Sequence, residues 1–178
     1  MHATGQAAGH LQDECDVVVI GAGAAGLMTA ITAGQRGRQV QVIDHANKVG
    51  KKILMSGGGR CNFTNHHLNG HDGSQYYVSQ QPRFVRHALS RYTAQDFIRL
   101  VEQYGIAYHE KHKGQLFCDG SAQEIIAMLQ NECAQGQVSW HTGCPIEAVT
   151  RLADGSFEVR SSQGVFRCTN LIVASGGL

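Results

Sequence analysis

The stretch Val17-Val-Val-Ile-Gly21-Ala-Gly23-Ala-Ala-Gly26-Leu-Met-Thr-Ala30 constrains the fold more than any other part of the chain. A β-branched apolar run breaks into three glycines and then into an Ala-rich helical segment, which predicts strand, tight turn and helix. In this pattern Gly21 allows the turn, Gly23 leaves room for an anion at the backbone, and Gly26 brings the helix close to the strand. Ala24 and Ala25 open the helix, where free N–H groups and the dipole favour a phosphate. Ala30 puts a small residue on the sheet-facing side, and Gly37 ends the helix. Gln39–Ile43 reads as a second strand closed by Asp44, an acid placed to accept ribose hydroxyls. A packed βαβ unit without a ligand would use the same glycines. The ordered run of strand, turn, helix, strand and acid favours a dinucleotide site.

A chain of 178 residues has room for a sizeable core. Its formal charge of +1 gives no general attraction for nucleic acid or an anionic membrane. Glycine is abundant at 22 and proline scarce at 2, as in an α/β domain with many tight turns. The 6 cysteines show no C-x-x-C pair and no secretory leader precedes them, so they read as reduced cytoplasmic thiols. The run from Val17 to Ile31 is too short and glycine-rich to cross a membrane. Residues 1–14 read as a flexible polar tail and residues 15–178 as the folded part.

The next informative stretch is Asp44-His45-Ala-Asn-Lys48-Val-Gly50-Lys51-Lys52-Ile-Leu-Met-Ser56-Gly57-Gly58-Gly59-Arg60-Cys61-Asn62-Phe-Thr-Asn65. Successive glycine N–H groups form a concave nest for an anion or a carbonyl-rich ring, and Lys51, Lys52 and Arg60 are placed to neutralise a pyrophosphate. A solvated flexible loop is the plainer reading. The position directly after the ribose acid argues for ligand contact.

These residues, together with Gly114-Gln-Leu-Phe-Cys118-Asp119-Gly120-Ser-Ala122, resemble the YhiN/BaiN-type NAD(P)/FAD-dependent oxidoreductases over Cys15 to Leu178. The resemblance implies a glutathione-reductase-like, Rossmann-type α/β domain that binds FAD: a parallel sheet with a β-meander crossover, interrupted in the family by an inserted domain. It implies that Gly21, Gly23, Ala24, Ala25 and Gly26 cradle the pyrophosphate and that Asp44, with His45 beside it, holds the adenosine ribose. Gly50, Lys51 and Lys52 match a Gly-Gly-Arg position of related flavoproteins, with lysines replacing part of it. Gly57, Gly58, Gly59, Arg60, Cys61 and Asn62 would run near the ribityl chain or flavin ring. Ile146 stands where a backbone group meets adenine, although its side chain reads equally well as core. Gly176 belongs to a second glycine motif.

His66, His67 and His71 match no common zinc spacing, and no carboxylate pair lies near them in sequence; they read as loop histidines. His109-Glu-Lys-His112 is not H-E-x-x-H. Phe84, Val85, Ala88 and Leu89 recur at helical spacing after Pro82. Thr93 is a helix N-cap before the stripe Phe97, Leu100, Val101 and Tyr104, which Gly105 stops. Ser121 with Glu124 reads as a capping box before Ile125, Met128 and Leu129, ended by Gly136. The aromatic and Met positions of these helices read as core, and Ile106–Phe117 as a hairpin with solvated Lys and His. Strands are expected over Gln137–His141, Ile146–Leu152, Ser156–Ser161 and Val165–Thr169, with turns at Asp154-Gly155 and Gln163-Gly164. A separate buried strand, Asn170–Val173, then runs into Ala174-Ser-Gly-Gly177.

The chain ends directly after that motif, so the expectation is an incomplete N-terminal fragment that holds FAD poorly alone and exposes apolar surface. The expected activity is hydride transfer from NAD(P)H through FAD to a small-molecule substrate, with no nucleic-acid or membrane partner. No residue stands out as general acid or base, and Cys61 reads as packing rather than redox-active. Two other classes remain open. One is a flavin-free NAD-dependent dehydrogenase, which Asp44 would suit and the meander opposes. The other is an FAD-dependent tRNA-modifying or partner-binding nucleotide protein, which the absence of a basic stripe opposes.

Overall fold

The computed structural model describes residues 14–68 and 73–177. The expected tail, apart from its last residue, and His71 lie outside the described residues. The single domain expected over 15–178 comprises two compact units: one built from the segments up to Lys51 and from Leu129 on, the other from Lys52–Met128.

The first unit is a six-stranded sheet with strands β1 (Cys15–Ile20), β2 (Val40–Ile43), β6 (Ser139–His141), β7 (Ile146–Arg151), β8 (Phe157–Ser161) and β9 (Gly164–Val173), in the order β6-β2-β1-β9-β8-β7. β6, β2, β1 and β9 run parallel, and β9, β8 and β7 form an antiparallel meander. The continuous apolar run Val17 to Ile20 forms β1, whose two faces are both covered. Val18 and Val19 are fully buried. Helix α1 (Ala24–Gly34) follows and buries Gly26, Leu27, Ala30, Ile31 and Gly34. It stops three residues before the expected Gly37, which adopts φ 77° in the turn beyond. At Gly34 an added Cβ would stand 2.6 Å from the Gly136 carbonyl oxygen, so both glycines serve close backbone approach.

The parallel sheet and its meander are as expected, with one correction. Val165–Thr169 and Asn170–Val173 are a single strand. β9 pairs antiparallel with β8 from Gly164 to Cys168, then parallel with β1 from Cys168 to Val173. The chain changes neighbours while remaining extended, so it needs no turn at Thr169-Asn170. Nor is the end of β9 buried: Ile172 and Val173 are exposed. Phe166, Val159, Val18, Ile43, Cys15, Cys144 and Cys168 form a core cluster, with Ile146 packed against it. His141 meets Phe166 edge-on at 4.6 Å, and burial lowers its pKa.

In the second unit, β3 (Asn62–Asn65), β4 (Tyr108–Glu110) and β5 (Gln115–Cys118) form an antiparallel sheet in the order β3-β5-β4. The expected hairpin is β4 and β5. A short helix α2 (Lys51–Met55) and a 3₁₀ turn (Ser56–Gly59) lead into β3. Helix α3 (Arg86–Arg91) follows a 3₁₀ turn at Pro82–Val85, and α4 (Ala94–Gln103) follows it. Thr93 caps α4 in a full capping box. Its hydroxyl accepts from the Asp96 N–H at 3.1 Å, and the Asp96 carboxylate accepts from the Thr93 N–H at 2.6 Å. The Thr93 hydroxyl also donates to the Asp96 carboxylate at 2.6 Å, and this bond, followed by the one from the Thr93 N–H, holds the Asp96 carboxyl below the usual carboxylate range. Helix α5 (Ala122–Gln135) begins at Ser121, whose N–H donates to Glu124 at 2.9 Å. Ile98, Val101, Ile125 and Met128 are buried as core residues. Phe84 is not: α3 and its 3₁₀ turn contain no buried residue, which corrects the expectation of core there. Among the described residues no helix is long and apolar enough to cross a membrane.

Candidate functional site

The glycine turn lies at the carboxyl ends of β1, β2 and β9. β2 lies on one side of β1 and β9, which arrives from the meander, on the other; the strand order reverses at β1, and such a switch point opens a crevice above the strand ends. Gly21 has φ 110°, and a Cβ there would stand 2.4 Å from the Ala174 carbonyl oxygen. The same end of β9 is tied in by Ala174 N–H donating to the Ile20 carbonyl at 2.7 Å. At Gly26 a Cβ would meet the Gly21 carbonyl oxygen at 1.8 Å. Both glycines are therefore required by the protein's own backbone. Gly23 differs: nothing lies within 4 Å of a Cβ built there. It is the N-cap of α1, no side chain caps the helix, and Ala24 and Ala25 are exposed. The helix presents its N–H groups to an open space with no acidic side chain in its first turn. That cradle suits a pyrophosphate.

Asp44 braces this turn. Its carboxylate accepts from the Ala22 N–H at 2.6 Å and from the Ala46 N–H at 2.7 Å. Gly50, at φ 68°, closes the other side: its N–H donates to the Ala22 carbonyl at 2.8 Å. Gly21–Gly26, Asp44 and Gly50 are thus brought together as expected from sequence. The link through Ala22 is not visible there, because it joins residues 22 and 28 positions apart. Asp44 retains lone pairs on both oxygens for a ribose, while the exposed His45 sits 3.4 Å from Oδ1. Lys51 is exposed at the start of α2. Ile146 packs its side chain on the core cluster, so only its backbone remains for a ligand. Gly176 has φ 85° and is exposed just past β9.

In the second unit Lys52 is exposed on α2. Gly57, Gly58 and Gly59 are successive left-handed residues at φ 57°, 67° and 87°. A Cβ on Gly57 would strike the Phe117 ring at 2.6 Å, whereas Gly58 and Gly59 meet nothing within 4 Å. Gly57 therefore serves packing, and Gly58 and Gly59 turn the chain in the open. Arg60 and Asn62 are exposed and Cys61 is buried at φ 52°. Burial pushes the Cys61 thiol up, with the Ser56 side chain opposing weakly. Such a thiol is a poor nucleophile, as a packing role requires.

All six cysteines are free and buried. Desolvation, the largest cause in each case, holds Cys15 at about 11 and Cys118 and Cys133 at about 12, against an ordinary value of 9.0. Iodoacetamide at pH 8 is expected to label none of them until denaturant is added; labelling of a single cysteine in the folded chain would contradict this burial. A thiol whose pKa is raised by folding contributes stability fully below its unfolded value and loses it as pH climbs through the folded one. Stability is therefore expected to fall from about pH 9 to about pH 12, read by thermal melts across that window.

Lys111, His112 and Lys113 of the hairpin are exposed as expected, while His109 also makes specific contacts. His109 Nδ1 lies 2.6 Å from Asp119 Oδ1, and its ring stacks on Phe117 with centroids 6.4 Å apart. Lys111 Nζ stands 5.3 Å from the same ring centroid. An imidazole tied through one nitrogen to a carboxylate is oriented to move a proton at the other. This pair was missed because ten residues and a hairpin turn separate its members. His66 and His67 also gain a neighbour that the sequence hid. Glu110 lies on β4, with its carboxylate 3.5 Å from His66 Nε2, and the candidate ligand atoms of the three residues lie within 4.8 Å of one another. Glu110 also accepts from the Gly114 N–H at 3.1 Å.

Residues 15–178 match the family described as the HI0933-like protein Rossmann domain. The chain belongs to that family. The match bears out the resemblance carried by the two glycine-rich stretches. One relative, a protein of Escherichia coli (strain K12) named ribosomal RNA dihydrouridine synthase, is 48% identical over 163 residues, or 92% of this chain and 40% of that protein. Another, the 3-dehydro-bile acid delta(4,6)-reductase of Clostridium scindens, is 30% identical over 162 residues, covering 89% of this chain and 38% of that one. The chain therefore spans about 40% of the length of the curated relatives it matches. Among solved structures, an L-proline dehydrogenase from P. horikoshii shares the fold at TM-score 0.60 and 11% identity, over 92% of this chain and 53% of that one. The amino acid oxidase NikD does so at TM-score 0.56 and 14% identity, over 93% and 52%.

Proposed function

We propose that this Rossmann domain is the FAD-binding part of a flavin-dependent oxidoreductase that reduces uridine in ribosomal RNA with NAD(P)H. The observation that carries the reading is the uncapped start of α1 at Gly23, open where a Cβ would stand and braced through Ala22 by Asp44. Gly23, Ala24 and Ala25 would bind the pyrophosphate through backbone N–H groups, with Gly21 and Gly26 holding the turn. Asp44 would orient the adenosine ribose, and the Ile146 backbone and Gly176 would contact the cofactor further on. By resemblance, Lys51, Lys52 and the segment Gly57–Asn62 would serve its remaining parts. When bound, FAD supplies hydride transfer between nicotinamide and an electron-poor double bond. The RNA substrate follows from the 48% relative's name, since a dihydrouridine synthase adds two hydrogens to uridine. Near-neutral net charge led the sequence reading towards a small molecule instead. A second reading, reduction of a small conjugated ketone, is favoured by the bile-acid reductase relative.

The test begins with the visible spectrum of the purified chain before and after adding FAD, repeated on a polypeptide of the relatives' length. Flavin capture that bleaches with NADH or NADPH is expected in the longer polypeptide at least. No capture in either would overturn the FAD reading. Ribosomal RNA incubated with the longer polypeptide and reduced nicotinamide should then gain the mass of two hydrogens at a uridine. Nicotinamide oxidation that responds to conjugated ketones and leaves RNA unchanged would favour the second reading.

A further inference from the structure

We infer that the segment Gly73–Tyr92 of the second unit is a surface that binds single-stranded RNA, an inference that rests on the RNA-reductase reading above and names where that substrate is held. Two independent features coincide there. The first is charge: Arg83, Arg86, His87 and Arg91 fall in a run from Gly73 to Gln95 that contains no Asp or Glu, in a chain whose formal net charge is only +1. The second is exposed aromatic surface. Phe84 is 84% exposed and Tyr76 is 53% exposed, with Tyr77 and Tyr92 also open.

Local structure explains why these side chains face outward. The segment is built from tight turns rather than from an amphipathic helix. A 3₁₀ turn at Gly73–Tyr76 buries Gly73 and Ser74, and the Tyr77 N–H donates to the Ser74 carbonyl at 3.1 Å. The Phe84 N–H donates to Gln81 at 3.0 Å, fixing the second turn, and α3 then runs for six residues without burying one. Tyr77, Gln80, Gln81, Arg83, Phe84 and Arg86 line a groove of about 610 Å³.

That composition fits a nucleic acid strand rather than another protein core. Unstacked bases gain from aromatic faces, the guanidinium groups meet phosphates or stack on bases, and glutamine amides suit base edges. An RNA strand satisfies both features at once. The net charge of the whole chain concealed the patch, because acidic residues elsewhere balance it.

The test is fluorescence anisotropy of the intact chain with a 5′-fluorescein-labelled 15-mer oligouridylate at several salt concentrations. Binding is expected, with Phe84→Ala weakening it roughly tenfold. Arg83→Ala with Arg86→Ala should weaken it and flatten the slope of log affinity on log salt by about 1.4, or about 0.7 per lost phosphate contact. Arg36→Ala with Arg38→Ala, two exposed arginines of the first unit, removes the same charge and should leave binding within about twofold. Because the altered side chains are exposed, thermal midpoints should not move. No binding by the unaltered chain, or binding that the patch variants leave unchanged, overturns the surface. So does concentration-dependent self-association that Phe84→Ala abolishes without any RNA binding; that result makes a second copy the occupant. If the patch variants keep RNA binding and the longer protein still forms dihydrouridine, the surface alone is wrong. If binding is lost in the variants but the longer protein forms no dihydrouridine, the catalytic reading fails and the RNA surface stands.

Discussion

Gly26→Ala is expected to destabilise the protein by about 3 kcal/mol, the upper range for overpacking, and to lower its thermal midpoint by about 6–12 °C. The sign is the informative part. Within a helix, glycine to alanine ordinarily stabilises by about 0.5–1 kcal/mol. Here the new methyl would sit 1.8 Å from the Gly21 carbonyl oxygen, and backbone cannot swing aside as a side chain can. Gly21→Ala should behave alike, since it adds a 2.4 Å clash with the Ala174 oxygen to a backbone at φ 110° that side chains rarely adopt. Gly23→Val is the contrast. Its side chain enters open space at φ −84°, so the only expected cost is that of a poorer N-cap residue, about 1 kcal/mol. That space is the proposed pyrophosphate cradle, so FAD affinity should fall by at least about tenfold. Melting curves and flavin titration on the three variants separate glycines that the fold needs from the glycine that the ligand needs. A Gly23→Val as destabilised as Gly26→Ala, or a stable Gly26→Ala, would show that the turn is built differently.

Asp44→Ala should cost about 2–4 kcal/mol, because it leaves the Ala22 and Ala46 N–H groups without their charged acceptor in a largely desolvated place. The Asp44 side chain is only 13% exposed, and both bonds are shorter than 2.8 Å. Asp44→Asn should rescue little, since one of the two positions then presents an NH₂ to a backbone N–H. A role confined to ribose binding predicts otherwise: cofactor affinity would fall in both variants while the melting midpoint stayed put. Thermal melts without any nucleotide decide between the two. A loss of midpoint there identifies the acid as a brace of the glycine turn as well as a proposed ligand of the ribose.

Much of the first unit was readable because its signals are local. The β-branched run, the spaced glycines, the Ala-rich helix and the Asp-Gly and Gln-Gly turns each act within a few residues. The cap at Thr93 and the helix start at Ser121 were legible for the same reason. The misreadings share a cause too. Phe84 and its neighbours have helical spacing, but spacing reports periodicity and not whether another element lies against the face. The expected boundary between Thr169 and Asn170 falls inside β9, whose ladders with β8 and then β1 keep the chain extended. Asp119 reaches His109 only once the β4–β5 hairpin closes, and residues 110 and 117 reach His66 and Gly57 only when that hairpin packs beside β3.

The order of strand, glycine turn, helix, strand and acid was determined by sequence alone, because glycine stereochemistry and side-chain periodicity need no distant partner. The roles of the individual glycines, the brace from Asp44 to Ala22 and the outward face of Gly73–Tyr92 were decided only in the tertiary structure. They depend on which backbone atoms and side chains meet across the fold, and chain spacing does not encode that contact residue by residue.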